Sequence, residues 1–297
     1  MDPAMNRRCR ALLEARRAVL LPGVANALAA RIVADVGFEA VYVTGAGIAN
    51  TFHGVPDIGL VSLSEVVAHI AAIREAVDLP VLADGDTGFG NAVNTARTVQ
   101  LFERAGASAI QLEDQVFPKK CGHFAGKDVI ETREMVEKIK AAADARRDAG
   151  FTIIARTDAR AVHGFDDAVE RVSRYFEAGA EATFIEAPLS LDEISRIPKE
   201  APGLPILNIV HGGRTPMPDR GELQALGFSG VIYANAALQA GMLATHRVLG
   251  HLLRQGSLAG AEDQLAGFAE RQRMVAKHDY DALELRHALK PPATHAE

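Results

Sequence analysis

The sequence predicts an α/β fold, a (β/α)8 barrel of the TIM type, and three observations carry that prediction. Eight short apolar runs alternate with amphipathic helical segments along the 297 residues, the rhythm of parallel strands joined by crossover helices. A weak internal repeat sets a glycine at the passage from helix to strand in Val36-Gly37-Phe38, Ala105-Gly106-Ala107, Ala178-Gly179-Ala180 and Leu226-Gly227-Phe228. A left-handed glycine ends a helix there at little steric cost. Polar residues then follow one strand after another, and in such a barrel the strand ends open on one mouth.

In chain order, the first strand is residues 18–21, and helix 26–36 leads from it to strand 40–43. Helix 64–76 leads to strand 81–83, helix 92–104 to strand 109–112, and helix 131–149 to strand 152–155. Helix 166–177 precedes strand 183–185, helix 191–197 precedes strand 206–207, and helix 221–226 precedes the last strand, 230–233. The strands are assigned on short apolar runs and the helices on apolar residues at helical spacing. Residues 1–297 read as one barrel domain, with 250–297 as a C-terminal helical tail. That tail carries Leu252, Leu253, Leu258, Leu265, Phe268, Met274 and Val275 after the eighth unit is complete. Such a surplus needs another surface to cover it, so a homo-oligomer is expected.

Composition narrows the functional classes. Hydrophobic residues at 48% and charged residues at 24% describe a soluble globular chain with an ample core. A net charge of -6 argues against a nucleic-acid partner, which calls for a basic face. Cys9 and Cys121 lie far apart and form no disulfide framework, so a reducing, cytoplasmic setting is expected. The N-terminus shows no basic region followed by an apolar one, as a cleavable signal would. The longest uncharged stretch, 226–245, contains Ser229, Tyr233, Asn235 and Gln239 and reads as a buried strand and packed helix rather than a membrane span.

Chemistry concentrates at the strand ends. Thr44, Asp84, Glu113, Arg156, Glu186 and Asn208 follow the second to seventh strands in turn. Asp84-Gly85-Asp86 sets two carboxylates on a turn, Glu113 comes from the next strand, and Asp57 in Gly54-Val55-Pro56-Asp57 can reach over. Four uncompensated carboxylates repel one another. A hard divalent cation resolves this, and an all-oxygen set favours Mg2+ or Mn2+ over Zn2+. The purely structural reading of Asp57 and Asp86 is that they cap turns. Arg156 suits a bidentate grip on a substrate carboxylate, or else a salt bridge to Glu186 or Asp158. Thr44-Gly45-Ala46-Gly47 can offer backbone N–H groups to a second carboxylate, although Gly-x-Gly also fits an ordinary turn.

The run Lys119-Lys120-Cys121-Gly122-His123 is the most specific feature. A thiol beside fixed positive charge moves toward thiolate, and Gly122 and Gly126 give the loop freedom. His123 and His211 fall on rim loops and are acid–base candidates, whereas His69, His246 and His251 lie in helical segments.

With these residues assembled, the chain resembles the isocitrate lyase/phosphoenolpyruvate mutase superfamily over nearly its whole length. The resemblance rests on Gly54-Val55-Pro56-Asp57, Ala83-Asp84-Gly85-Asp86-Thr87-Gly88, Glu113-Asp114-Gln115, Lys119-Lys120-Cys121-Gly122-His123 and Ala155-Arg156-Thr157-Asp158-Ala159. It points to the methylisocitrate lyase, 2,3-dimethylmalate lyase and petal-death branch. It implies a Mg2+-dependent barrel acting on α-oxy carboxylates, with the cysteine loop as a gating lid and a C-terminal helix exchanged between subunits of a homotetramer. Asp84 would bind the metal directly, with Asp57, Asp86 and Glu113 holding its waters. Arg156, Asn208 and the backbone of Thr44, Gly45, Ala46 and Gly47 would hold the substrate, beside Lys120, Gly122 and His211, and Glu186 would orient it. Cys121 would protonate the departing carbanion, tuned by Lys119 and His123.

The mutases of that superfamily lack the cysteine loop, so its presence favours a carbon–carbon lyase. Methylisocitrate lyases commonly show Lys-Arg-Cys-Gly-His where this chain has Lys119-Lys120. The segment from Asn208 through His211 to Pro216 looks more like the dimethylmalate branch, which usually carries glutamate at the place of His211. The expected reaction is retro-aldol cleavage of a 2-hydroxy di- or tricarboxylate, with Tyr42 and Glu113 as candidate bases for the hydroxyl proton. Oxaloacetate hydrolysis or decarboxylation is a close rival, and mutase-type chemistry a further one. A metal-bearing scaffold without turnover is the rival of another class, opposed by the retention of Cys121 and all four carboxylates.

Overall fold

Alternation along eight strands divides this chain into an inside and an outside. In the computed structural model, which describes residues 2–122, 124 and 126–288, the strands are β1 (Val19–Val24), β2 (Val41–Val43), β3 (Val81–Asp84), β4 (Ala109–Glu113), β5 (Thr152–Thr157), β6 (Ala182–Ile185), β7 (Leu204–Asn208) and β8 (Gly230–Tyr233). All pair in parallel in sequence order, and β8 closes on β1 through Val19 opposite Gly230. The expected (β/α)8 barrel is therefore the fold.

Successive side chains on a strand point to opposite faces. Val41, Val43, Val81, Ala83, Ile110, Leu112, Ile153, Ala155 and Leu207 belong to the outer core against the helices. Their neighbours Tyr42, Leu82, Ala109, Ile154, Phe184, Ile206 and Ile232 fill the barrel. Two residues beyond these inner positions, the same parity brings up Thr44, Asp84, Arg156, Glu186 and Asn208 (and Glu113 after Gln111), all buried. The interior thus turns from apolar to charged at the C-terminal end of the strands.

The helices are α1 (Pro3–Glu14), α2 (Ala27–Val36), α3 (Gly45–Ile48), α4 (Leu63–Ala76), α5 (Ala92–Ala105), α6 (Thr132–Ala145), α7 (Phe165–Glu177), α8 (Leu191–Glu200), α9 (Arg220–Leu226), α10 (Ala236–Gln255), α11 (Phe268–Met274) and α12 (Lys277–His287). Local chemistry sets their ends. Ser62 with Glu65, Asn91 with Asn94 and Asp219 with Glu222 form reciprocal caps at α4, α5 and α9. Gly37, Gly106 and Gly227 end α2, α5 and α9 at φ 98, 96 and 95, the left-handed caps that the repeat predicts. α1 was not anticipated; its Cys9 and Leu13 join the inner core and stop the barrel at its N-terminal end, leaving the charged end for ligands.

β1 runs farther than expected, through Pro22-Gly23. Gly23 makes this possible, because a Cβ there would lie 2.0 Å from the Ala234 carbonyl oxygen. β3, β4, β5 and β7 also extend to include Asp84, Glu113, Arg156 and Asn208, and Glu113 pairs in register with Arg156. The polar residues therefore sit on the ladder itself rather than on loose loops. The chain divides into two compact units, residues 1–241 and 242–297, with the division inside α10. The expected tail lies within the second, which comprises the rest of α10, α11 and α12. Among the described residues no helix is long and apolar enough to cross a membrane.

Candidate active site

A cavity at the C-terminal ends of the strands is lined by Tyr42, Thr44, Ala46, Asp57, Asp84, Glu113, Lys119, Lys120, Cys121, Gly122, Arg156, Glu186 and Asn208 from the expected set. It encloses about 40 Å³, room for a few waters at roughly 10–15 Å³ each on that measure.

One wall is acidic. Asp84 Oδ1 accepts from the backbone N–H of Asp86 at 3.1 Å and from Gln111 Nε2 at 3.2 Å. Tyr42 donates its hydroxyl to Gln111 Oε1 at 2.9 Å, so a polar chain runs Tyr42–Gln111–Asp84 inside the barrel. Lys119 inserts its ammonium between Asp57 Oδ1 at 2.5 Å and Asp86 Oδ1 at 2.8 Å. One cation against this many carboxylates leaves surplus negative charge. Burial pushes the Asp86 carboxyl up to about 6, and Asp84 and Asp57 add to burial against the opposing pull of Lys119. Burial likewise holds Glu113 well above the usual carboxylate range, although Arg156 opposes it. The Lys119 ammonium is held well above its ordinary value, because the surrounding carboxylates outweigh its burial. Burial, and then Asp84, raise the Tyr42 phenol well above its ordinary value, so Tyr42 stands as a hydrogen-bond donor.

The donor set fits a hard divalent cation in its chemistry. It is all oxygen, it carries surplus negative charge, and the buried Glu113 Oε1 and Asn208 Oδ1 meet no hydrogen-bond partner among the described residues. Gly45 leaves this wall open: a Cβ there would lie 3.3 Å from both Asp84 Oδ2 and Asp86 Oδ1. As they stand, no three His, Cys, Asp or Glu groups among the described residues are placed to share one ion; Lys119 occupies the space between Asp57 and Asp86.

The opposite wall centres on Arg156. Its guanidinium binds Asp158 through Nε at 2.9 Å and Nη2 at 3.2 Å, and reaches Glu113 Oε2 at 3.1 Å and Glu186 Oε2 at 3.2 Å. Both salt bridges weighed from the sequence, to Glu186 and to Asp158, are formed. Asp158 is fully buried, yet Arg156 and Lys127 overcome the effect of burial and hold its carboxyl below the ordinary value. Its turn is fixed by Asp114, which accepts from the Asp158 N–H at 2.9 Å, Thr157 Oγ1 at 2.6 Å and the Tyr175 hydroxyl at 2.8 Å.

Cys121 lies over this mouth. Its N–H donates to the Asp57 carbonyl at 3.1 Å, and the Gln115 side chain brackets the backbone of Lys120 at 2.8 and 2.9 Å. Of the two neighbouring lysines, Lys119 goes to Asp57 and Asp86, and Lys120 Nζ donates to the Gly126 carbonyl at 2.7 Å. Cys9 is 1% exposed and burial pushes its thiol up to about 12, which leaves Cys121 as the accessible cysteine.

Not every expected residue reaches the cavity. His211 is exposed on the rim and off the lining, where its carbonyl accepts from Gln239 Nε2 at 3.2 Å. Gly47 donates its N–H to Thr44 Oγ1 at 3.2 Å and lies behind the lining. His123 lies outside the described residues. Sequence reading missed Phe184, Val210, Ile232, Ala234 and Asn235 on the lining, and the roles of Gln111 and Lys127. Strand alternation could have found Phe184 and Ile232, which share the inward parity of Asp84.

Comparison with known proteins agrees with this geometry. A family model described as phosphoenolpyruvate phosphomutase matches residues 9–253. The chain is 46% identical over 261 residues to 2,3-dimethylmalate lyase of Eubacterium barkeri, covering 88% of this chain and 90% of that protein. A crystal structure of 2,3-dimethylmalate lyase, a PEP mutase/isocitrate lyase superfamily member, superposes with a TM-score of 0.90 at 31% identity, covering 100% and 99% of the two chains. Phosphonopyruvate hydrolase in complex with oxalate and Mg2+ superposes with a TM-score of 0.85 at 33% identity, covering 95% and 99%. Barrel, strand-end residues and relatives lead to one assignment: the chain belongs to the PEP mutase/isocitrate lyase superfamily.

Proposed function

We propose that this protein is a Mg2+-dependent carbon–carbon lyase that splits a 2-hydroxy dicarboxylate of the 2,3-dimethylmalate type into a 2-oxo acid and a carboxylic acid. The observation that carries this reading is the convergence of Cys121, Arg156 and the acidic wall on one cavity. A mutase has no use for a thiol there, whereas a lyase must protonate the carbon it releases. Phe184, Val210, Ile232 and Ala234 form an apolar stretch of the lining. That stretch suits a methyl substituent better than a third carboxylate, which would be desolvated there.

Arg156, Asn208 and the backbone at Gly45 and Ala46 bind the substrate carboxylates. When bound, Mg2+ would be held by Asp84 with Asp57, Asp86 and Glu113, and would lower the pKa of the substrate 2-hydroxyl. Of the two candidate bases, Glu113 suits the task, because Tyr42 is already a donor to Gln111. Glu113 takes the hydroxyl proton, the C2–C3 bond breaks, and its electron pair passes to the departing fragment as an enediolate. Cys121 then gives its proton to that carbon, and exchange with solvent restores Glu113 and Cys121. Glu186 braces Arg156 at 3.2 Å and so orients the carboxylate it holds. The reading includes a homotetramer with exchanged C-terminal helices; the uncovered Leu253 and Leu285 of the second unit, 87% and 80% exposed, support association.

The test is a panel of 2-hydroxy and 2-oxo diacids with Mg2+, assayed by trapping the 2-oxo product. Pyruvate released from 2,3-dimethylmalate is expected. Oxalate and acetate from oxaloacetate, with no cleavage of hydroxy acids, would replace the lyase by a hydrolase. Binding without any turnover would leave a scaffold.

A further inference from the structure

Lys127 lies outside the strand-end set, yet its side chain is only 2% exposed and its partner Asp158 is fully buried. Its ammonium donates to Asp158 Oδ1 at 2.6 Å and to the carbonyl of Gly122. The same Asp158 oxygen accepts from Arg156 Nη2 at 3.2 Å. Through the Lys127 ammonium, one carboxylate oxygen therefore links the Gly122 carbonyl to the guanidinium of the binding wall.

The other side of Cys121 is also fixed. Its own N–H meets the Asp57 carbonyl at 3.1 Å. Gly122 is packed so closely on the wall that a Cβ would lie 2.6 Å from Arg156 Nη2 and from Glu186 Cδ. Gly122 thus has no room for a side chain on this contact, and Lys127 supplies the bond that holds its carbonyl. Burying an ammonium is costly unless its partners are well placed, and here both partners belong to the site.

We propose that Lys127 is a positioning residue that, by holding the Gly122 carbonyl, seats Cys121 and Gly122 over the cavity and, through Asp158, sets Arg156 in register with them. The proposal rests on the reading of Cys121 as the proton donor. Thiol and guanidinium are thereby placed together, so that the enediolate formed against Arg156 faces the group that protonates it.

The experiment compares Lys127→Met and Lys127→Arg with the wild-type full chain in Mg2+, well below each melting temperature. For Lys127→Met, kcat on 2,3-dimethylmalate should fall about 10- to 100-fold, by more than KM rises, because Asp158 still holds Arg156 by two bonds. Alkylation of Cys121 by iodoacetamide without ligand should speed up about tenfold, as the segment opens more often. Lys127→Arg should recover much of both. A Lys127→Met enzyme that melts earlier but keeps wild-type kcat and wild-type alkylation would show a stability role only and overturn the proposal. If wild type cleaves no substrate on the panel, the lyase reading fails, while the alkylation comparison still decides whether Lys127 seats the segment. Should Lys127→Met not fold, Lys127→Gln replaces it with the same two outcomes.

Discussion

Removing the charge of Asp86 should stabilise the metal-free protein at neutral pH. Asp86 is 7% exposed, and its carboxyl, ordinarily near 3.8, is raised to about 6 by burial and by Asp84 and Asp57, even with Lys119 beside it. The unfolded chain ionises this group at a lower pH than the folded one, so the unfolded state binds fewer protons between the two values. Stability therefore falls as pH rises from 4 through 6 and is level above that. The shift corresponds to a penalty of about 3 kcal/mol. Asparagine mimics the protonated side chain and escapes the penalty, while Lys119 keeps its bond to Asp57 at 2.5 Å. In EDTA, the melting temperature of Asp86→Asn should exceed that of wild type at pH 8 by roughly 6–12 °C, with most of the difference gone at pH 4.5. Mg2+ should stabilise wild type at pH 8 and the variant much less. Circular dichroism melts at both pH values decide the matter: a difference independent of pH, or a variant less stable at pH 8, would refute the reasoning.

Other outcomes follow from the same geometry. Iodoacetamide should label Cys121 and leave Cys9 untouched in the native protein, with labelling slowed by a 2-oxo acid and Mg2+; peptide mapping checks this. Gly122→Ala should cut kcat about 100-fold without changing the far-ultraviolet spectrum, because its Cβ would lie 2.6 Å from Arg156 Nη2; steady-state kinetics reads it out. Sedimentation should show an oligomer several times the 31.6 kDa chain, and a monomer at micromolar concentration would remove the case for a homotetramer.

Glycine caps and strand periodicity made the barrel legible, because both follow from local backbone rules that leave their mark in consecutive residues. Their place just after successive strands made Thr44, Asp84, Glu113, Arg156, Glu186 and Asn208 legible as one site. α1 was missed because its role is tertiary: Cys9 and Leu13 matter only once a barrel exists to be stopped. Gln111 read as an ordinary strand residue, and its link between Tyr42 and Asp84 depends on strands 69 and 27 residues away. Lys127 carried no local signal at all, since the carboxylate that buries it is 31 positions along the chain. The lysines beside Cys121 were legible as charge but not as geometry. Adjacency in sequence pointed them at the thiol, and it gave no sign that Lys119 also pairs with Asp57 and Asp86.

The most direct test of the central claim is to run the cleavage of 2,3-dimethylmalate in D2O with Mg2+ and examine the released propionate. A carbon–carbon lyase with Cys121 fixed over one face of the enediolate predicts pyruvate and propionate carrying one deuterium at C2, in a single configuration. Cys121→Ser should release little of either. Propionate deuterated equally on both faces, or undiminished cleavage by Cys121→Ser, would contradict the account.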